Sequence, residues 1–392
     1  MTTHAEPVVQ SPAATAKTSG SRLLVLDRMR GIVMLLMALD HASGEFNAGR
    51  VISDSAFFYK AGTVLEPAQF LTRWLTHLCA PTFVFLAGVS LSMSLARRVE
   101  RGEPAQSIDR YLLVRGLLII VAELVPSYFW MEKGRYLLQV LYAIGSAYLC
   151  MIPLRRLPVS LAVALGAFLV VAAEGVTRLS GWGPADSTPW LATLLLTGGL
   201  RGWLVVAYPT LPWLAMLLLG WGYGHVLRRR PSSEQLHSGE LARTGVAALV
   251  LFGLVRAANA YGNAGLPRDD GSLVQWLHVS KYPPSLSYTA LELGLMLLLL
   301  AALAKMRQSE QQAATPSRDR DPLVVFGQTP MFFYLLHIPL LALVARALHV
   351  EHGLGLGAAY GFAALAALSL FPACIWYRRY RAAHPASFTR YI

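Results

Sequence analysis

The sequence predicts an all-α protein: a polytopic integral membrane helix bundle of about ten transmembrane helices. Three observations lead there. Of the 392 residues, 55% are hydrophobic and only 14% are charged, and the mean hydropathy is positive, a balance that a soluble domain of this length does not carry. Continuous apolar runs of roughly 18 residues or more recur along the chain, whereas a membrane β-barrel would show alternating segments of about ten. Lys and Arg gather in alternate connections, the pattern that orients spans in a bilayer.

Taken in order, the apolar runs place helices at about 24–43, 68–95, 111–129, 136–153, 158–177, 206–227, 241–260, 284–305, 322–346 and 353–377. Residues 1–22 are rich in Ala, Thr, Ser and Pro without an apolar core and read as a disordered tail. No signal-cleavage pattern follows the first run, so it is expected to stay in the mature chain. An even number of spans leaves both termini on one side. Roughly 20 Lys and Arg lie in the loops of that side against about 9 opposite, which makes it cytoplasmic. The 23–380 stretch is then one membrane domain and 381–392 a cytoplasmic tail. Segment 178–205, containing WLATLLLTGGLRGWL, is expected as an interfacial helix, or as an eleventh span if it crosses. No internal repeat is visible, which weakens folds built from duplicated halves.

The +12 net charge would suggest nucleic acid in a soluble protein, but arginines in short membrane loops set orientation, so no nucleic-acid partner is expected. Cys79, Cys150 and Cys374 lie inside apolar runs without paired spacing, so neither a disulfide framework nor a metal site is indicated.

Ionisable residues inside the runs carry the functional signal. In RMRGIVMLLMALDHASG, Arg30 and His41 are eleven residues apart. That spacing is close to three helical turns, so the two share a face about 16 Å apart. Asp27, three residues before Arg30, can pair with it across one turn. Asp40 points about 100° away from His41, so adjacency does not make it the partner. A structural ion pair and wetted interfacial groups explain each residue singly; a cation and a titratable base on one apolar face together read as a polar passage. His77, Glu123 and His337 lie in the outer parts of their spans and Glu292 nearer the middle. A carboxylate there must be protonated, pair with a cation or face water, and Arg115 and Arg256 are available cations. CAP, YPTLPW and GQTP put prolines in or entering spans, where they bend helices and free carbonyls. HVSKYPPSLSY sets Lys281 before the eighth helix, as a stiff gate over the outer mouth or simply as a helix start.

LDRMRGIVMLLMALDHA, THLCAPTFVFLAGVS, YPTLPWLAMLLLGWGYG, KYPPSLSYTALELG and GQTPMFFYLLHIPL, in this order, resemble bacterial relatives of the heparan-alpha-glucosaminide N-acetyltransferase catalytic domain over residues 22–380. The Arg30 to His41 spacing also resembles the signature of the type 3 membrane acyltransferases. The resemblance implies acyl transfer across a bacterial inner membrane, from cytoplasmic acetyl-CoA to a cell-envelope sugar acceptor. It carries functional roles to Arg30 and His41. Lysosomal members can have Asn at the place of His41 and a working histidine slightly later; loop 44–66 here has none, which favours His41 as the base.

The chemistry agrees with this implication. A donor docked by its phosphates on cytoplasmic arginines can thread its pantetheine arm past Arg30 towards His41, whose neutral imidazole suits proton removal from a hydroxyl or amine. A double-displacement route through acetyl-imidazole stays open. In this reading His41, Asp40, Glu123 and His337 form the catalytic set, with Glu123 or Glu292 as the carboxylate expected to orient the imidazole. Asp27, Arg30 and Arg115 hold the acetyl-CoA, His77, Lys281 and Glu292 meet the acceptor, and no metal is expected. The lipid bilayer is the standing partner, and homodimerisation is open. The rival is a proton-coupled transporter using the same residues as a relay.

Overall fold

The architecture is that of a computed structural model, which describes residues 13–130, 134–183, 187–230, 236–312, 321–384, 387 and 389. Of the two expected tails, residues 1–12 and most of 385–392 therefore lie outside the described residues. In chain order the helices are α1 (Ala13–Phe46), α2 (Pro67–His77), α3 (Cys79–Glu100), α4 (Ala105–Ala122), α5 (Leu124–Trp130), α6 (Val140–Leu154) and α7 (Val159–Ser180). After the short α8 (Trp190–Ala192) come α9 (Thr210–Arg229), α10 (Ser238–Ala258), α11 (Leu273–Leu277), α12 (Leu286–Gln312), α13 (Pro322–Gln328), α14 (Pro330–Leu348) and α15 (Leu356–Ala383).

Among the described residues, seven segments are long and apolar enough to cross a membrane: Pro67–Glu100, Ala105–Phe129, Val159–Ser180, Ser238–Ala258, Leu286–Arg307, Pro330–Leu348 and Leu356–Ala383. Helices α1, α6 and α9 stand where the other three expected spans fall. Helix α1 begins at Ala13, ahead of the expected start near residue 24, because a helix already seeded by the apolar run extends through neighbours without proline.

The prolines break spans as the sequence suggests. The second span is interrupted at Leu78, because Pro81 has no N–H to give the His77 carbonyl. The Tyr288 hydroxyl donates to that carbonyl instead, at 3.1 Å, and so ties α12 to the break. The third span breaks for the same reason: Pro126 has no N–H to give the Ala122 carbonyl, and the chain leaves α4 at Glu123 and continues as α5. The ninth expected span is divided at Thr329, just before Pro330, into α13 and α14.

Segment 178–205 corrects the expectation of an interfacial helix. Past the end of α7, only α8 and a π-helical turn, Thr193–Thr197, are helical among its described residues. Strands β2 (Gly199–Arg201) and β3 (Leu204–Val206) then form an antiparallel hairpin, and β1 (Tyr136–Leu138) joins β3 in parallel, in the order β1-β3-β2. The register pairs Tyr136 with Leu204 and Gly199 with Val206. Gly198, Gly199 and Gly202 all have positive φ (66°, 123° and 55°), a backbone that ends the helix and turns the chain back. Among the described residues the fold is thus helical with one small sheet.

Close helix crossings rest on facing glycines. A Cβ on Gly31 would strike the Leu323 carbonyl and one on Gly327 the Asp27 carbonyl, so α1 and α13 touch backbone to backbone. Gly88 and Gly220 do the same for α3 and α9, Gly116 and Gly145 for α4 and α6, and Gly245 and Gly294 for α10 and α12. Where lipid removes the hydrophobic drive between helices, such small-residue contacts let packing hold the bundle. The first part of α1 and the end of α15 meet at α13: Gln328 donates to Asp27 (3.0 Å), Arg28 pairs with Asp321 (2.9 Å) and Arg381 donates to the Gln328 carbonyl (3.2 Å). These contacts define the terminal end of the bundle. The three cysteines are unpaired.

Candidate functional site

At the terminal end a cavity of about 630 Å³ opens among α1, α3, α4, α6, α14 and α15. Among the described residues five arginines line it, Arg30, Arg97, Arg115, Arg378 and Arg381, against the single carboxylate of Asp27. Asp27 accepts from Arg30 at 2.7 Å across one turn, as the spacing suggests, and from Gln328. Arg30 also donates to the Ser90 hydroxyl, which draws its guanidinium towards α3. Arg115 donates to the Tyr111 hydroxyl and stands 5.5 Å from the Tyr148 ring centroid. On α1 and α14, the helices of His41 and His337, the wall of the cavity includes Met34, Met37 and Tyr334.

Behind that wall lies a pair of buried imidazoles. His41 Nδ1 and His337 Nε2 are 2.7 Å apart, with the rings nearly parallel (13°) and their centroids 4.9 Å apart. His337 Nδ1 lies 2.8 Å from the Phe333 carbonyl, one turn back on α14. A carbonyl only accepts, so His337 Nδ1 carries the proton. With both rings neutral, His337 Nε2 is then an acceptor, His41 Nδ1–H donates to it, and the lone pair of His41 falls on Nε2. Tyr334 stands edge-on to both rings, at 6.0 and 5.8 Å, and its hydroxyl has no hydrogen-bond partner among the described residues. One aromatic ring therefore separates the imidazole pair from the arginine cavity.

On the other side of the pair is a closed ionic network. Asp40 accepts from Arg73 (2.6 Å), Thr76 (3.0 Å) and Arg50 (3.2 Å). Arg73 also donates twice to Asp54 (2.6 and 2.9 Å) and once to the Tyr282 hydroxyl (3.2 Å). Asp54 further accepts from His77 Nε2 at 3.0 Å. Burial raises the pKa of Asp54, but Arg73 and the hydrogen bond from His77 outweigh it and hold the carboxyl well below the usual carboxylate range. The Lys281 backbone N–H donates to the Asp54 carbonyl at 2.8 Å, which ties the segment before α12 to the loop after α1.

The structure thus brings His41 and His337 together, and Asp27, Arg30 and Arg115 around one cavity. It takes Asp40 and His77 into the ionic network and does not bring Glu123 or Glu292 to the imidazoles. Glu123 accepts from the backbone N–H groups of Gln139 and Tyr142 (3.1 and 2.9 Å) and so caps α6. Neither carboxylate oxygen of Glu292 has a hydrogen-bond partner among the described residues. The orienting group for the imidazoles is a backbone carbonyl acting through His337, in place of the expected carboxylate. Arg256, expected as a cation available to a membrane carboxylate, is buried and donates to Asn263 Oδ1 (2.8 Å) and the Leu266 carbonyl (3.0 Å), where it holds the loop after α10. Lys281 is also buried, its ammonium 5.3 Å from the Tyr282 ring centroid. Sequence reasoning missed Arg73 and Asp54. Arg73 is detectable as a charge in QFLTRWLTHLCA, whereas an aspartate in a polar loop gives no signal. Among the described residues no group of three or more His, Cys, Asp or Glu stands ready to hold a metal.

A helix bundle with seven described segments long and apolar enough to cross a membrane, and with ionisable groups buried inside it, defines an integral membrane protein. The family model for the heparan-alpha-glucosaminide N-acetyltransferase catalytic domain matches residues 22–258, more than half of the chain, and the protein belongs to that family of membrane acetyltransferases. The matched stretch contains Arg30, His41, His77, Arg115 and Glu123, while Lys281, Glu292 and His337 lie beyond it. No curated protein matches the chain.

Proposed function

We propose that the protein takes an acetyl group from acetyl-CoA, held in the terminal-end cavity on the cytoplasmic side of a bacterial inner membrane, and transfers it to a sugar hydroxyl or amine arriving from the opposite side. The observation that carries this reading is the chain from the Phe333 carbonyl through His337 to His41, which sets the tautomer of an imidazole one aromatic ring away from a cavity rich in arginine. The five guanidinium groups suit the phosphates of the donor, and its thin pantetheine arm suits the passage towards Met37 and Tyr334.

In the proposed step His41 Nε2 removes the acceptor proton as the acceptor oxygen or nitrogen attacks the thioester carbonyl. The C–S bond of the tetrahedral intermediate then breaks, and the proton on His41 passes to the departing thiolate of CoA. His337 is a positioning residue: it fixes the tautomer of His41 and shares the positive charge that develops there. Arg30, held by Asp27 and Ser90, lies on the donor path.

The test is acetyl transfer to glucosamine in proteoliposomes with acetyl-CoA supplied on the side of the termini. We expect His41→Ala to lose transfer by about a hundredfold or more while keeping its melting temperature and its acetyl-CoA binding. Wild-type rates from folded His41→Ala would remove His41 as the base. A wild type that neither binds acetyl-CoA nor transfers its acetyl group, yet moves solute with a proton gradient, would favour the transporter.

A further inference from the structure

A second cavity, of about 350 Å³, opens at the end of the bundle opposite the arginine cavity. Its wall combines Phe57 from the loop after α1, Trp182 just past α7 and Tyr282 just before α12, together with the charged side chains of Glu174 and Arg178. Phe57 and Trp182 keep 52% and 37% of their surface exposed, so their rings remain available to a ligand. Glu174 is buried, pairs with Arg178 at 2.5 Å and accepts from the N–H groups of Gly262 and Ala264 at 2.8 and 2.9 Å. That carboxylate fixes one wall of the cavity, while Arg178 reaches outward beside it. Beside Trp182, Gly183 and Thr188 exchange hydrogen bonds of 3.1 and 2.6 Å.

We propose that this cavity is a carbohydrate subsite for a unit of an oligosaccharide acceptor next to the unit that is acetylated. The proposal rests on the acetyltransferase reading above. Rigid aromatic rings set beside a guanidinium and hydroxyl groups match a pyranose, which has an apolar C–H face and a polar hydroxyl edge. Tyr282 belongs both to this wall and to the network around His41, because its hydroxyl accepts from Arg73, which in turn holds Asp40. Tyr282 and Arg73 stand between the cavity and the helix of His41. A sugar in the cavity is therefore a neighbour of the reacting unit and not the reacting unit itself.

The probes are glucosamine and its linear tetrasaccharide, titrated into detergent-solubilised full-length protein, with acetyl-CoA titrated separately. The tetrasaccharide is expected to bind about tenfold more tightly than glucosamine. Trp182→Ala should erase that difference, Trp182→Phe should restore most of it, and acetyl-CoA binding should be unchanged in both. Equal affinity of the two saccharides for wild-type protein that still binds acetyl-CoA would overturn the subsite and leave the acetyltransferase reading intact. The same holds if Trp182→Ala lowers only the amount of co-purified phospholipid seen by mass spectrometry. Loss of acetyl-CoA binding in folded wild type would instead strike the acetyltransferase reading, and the subsite with it.

Discussion

Two charged regions flank the imidazole pair, and they are built on opposite rules. Among the described residues the terminal-end cavity sets five arginines against one aspartate around open space, whereas the network beyond His41 pairs Asp40 and Asp54 with Arg50 and Arg73. A cationic excess around a cavity is completed by an anionic ligand; a balanced buried network is complete in itself and holds structure. The difference separates residues that look alike in the sequence. Arg30 and Arg115 line the open cavity, where the proposed donor would sit, and Asp40 and His77 belong to the network that ties the loop after α1 to α2.

Breaking the balanced region should have the largest effect on stability. Arg73→Ala leaves Asp40 and Asp54 buried without their main cation and should cost about 3–5 kcal/mol, read as a large fall in melting temperature in detergent. Asp54 sharpens the same point through pH. Its folded pKa is depressed, so its stabilising contribution is fully present above the ordinary carboxylate pKa of about 4 and is lost as pH falls towards the folded value. Asp54→Asn should therefore lower the melting temperature at neutral pH and flatten the acid limb of the stability profile below about pH 4.

Breaking the cationic region should leave stability nearly unchanged. Arg97→Ala combined with Arg381→Ala should weaken acetyl-CoA binding by about tenfold or more, with a shallower salt dependence than the wild type. The smallest effect is expected at Glu292, which belongs to neither region. A buried carboxylate without a hydrogen-bond partner gains little from ionisation, so Glu292→Gln should change the melting temperature by no more than the equivalent of about 1 kcal/mol. A collapse of folding in that variant would show that Glu292 is held by an interaction of its ionised form.

What the sequence made legible follows the cost of charge in lipid. Arg30, His41, His77 and Glu123 stand out because an ionisable residue in an apolar run needs a reason to be there, and the helical period alone puts Asp27 beside Arg30. Asp54 and Arg50 sit in a polar loop, where charges are ordinary, so nothing distinguished them before the fold brought them to Arg73. The pairing of His41 with His337 spans 296 residues and depends on how α14 packs against α1, which no local pattern encodes. Segment 178–205 misled for a different reason: its leucine run reads as part of a longer helix, but the helical turn stops at Thr197, and Gly198 and Gly199 at positive φ lead the chain into a hairpin. Arg97, Arg378 and Arg381 read as orientation signals in cytoplasmic loops, and only the packing of α3 and α15 gathers them around one cavity.

The most direct measurement is a calorimetric titration of acetyl-CoA into purified wild type, Arg30→Ala and Arg73→Ala proteins, each shown to be folded at the temperature used. Saturable binding to the wild type, weakened in Arg30→Ala and preserved in Arg73→Ala, is the predicted result. Absence of saturable binding to folded wild type, or equal weakening in both variants, would contradict the placement of the donor in the terminal-end cavity.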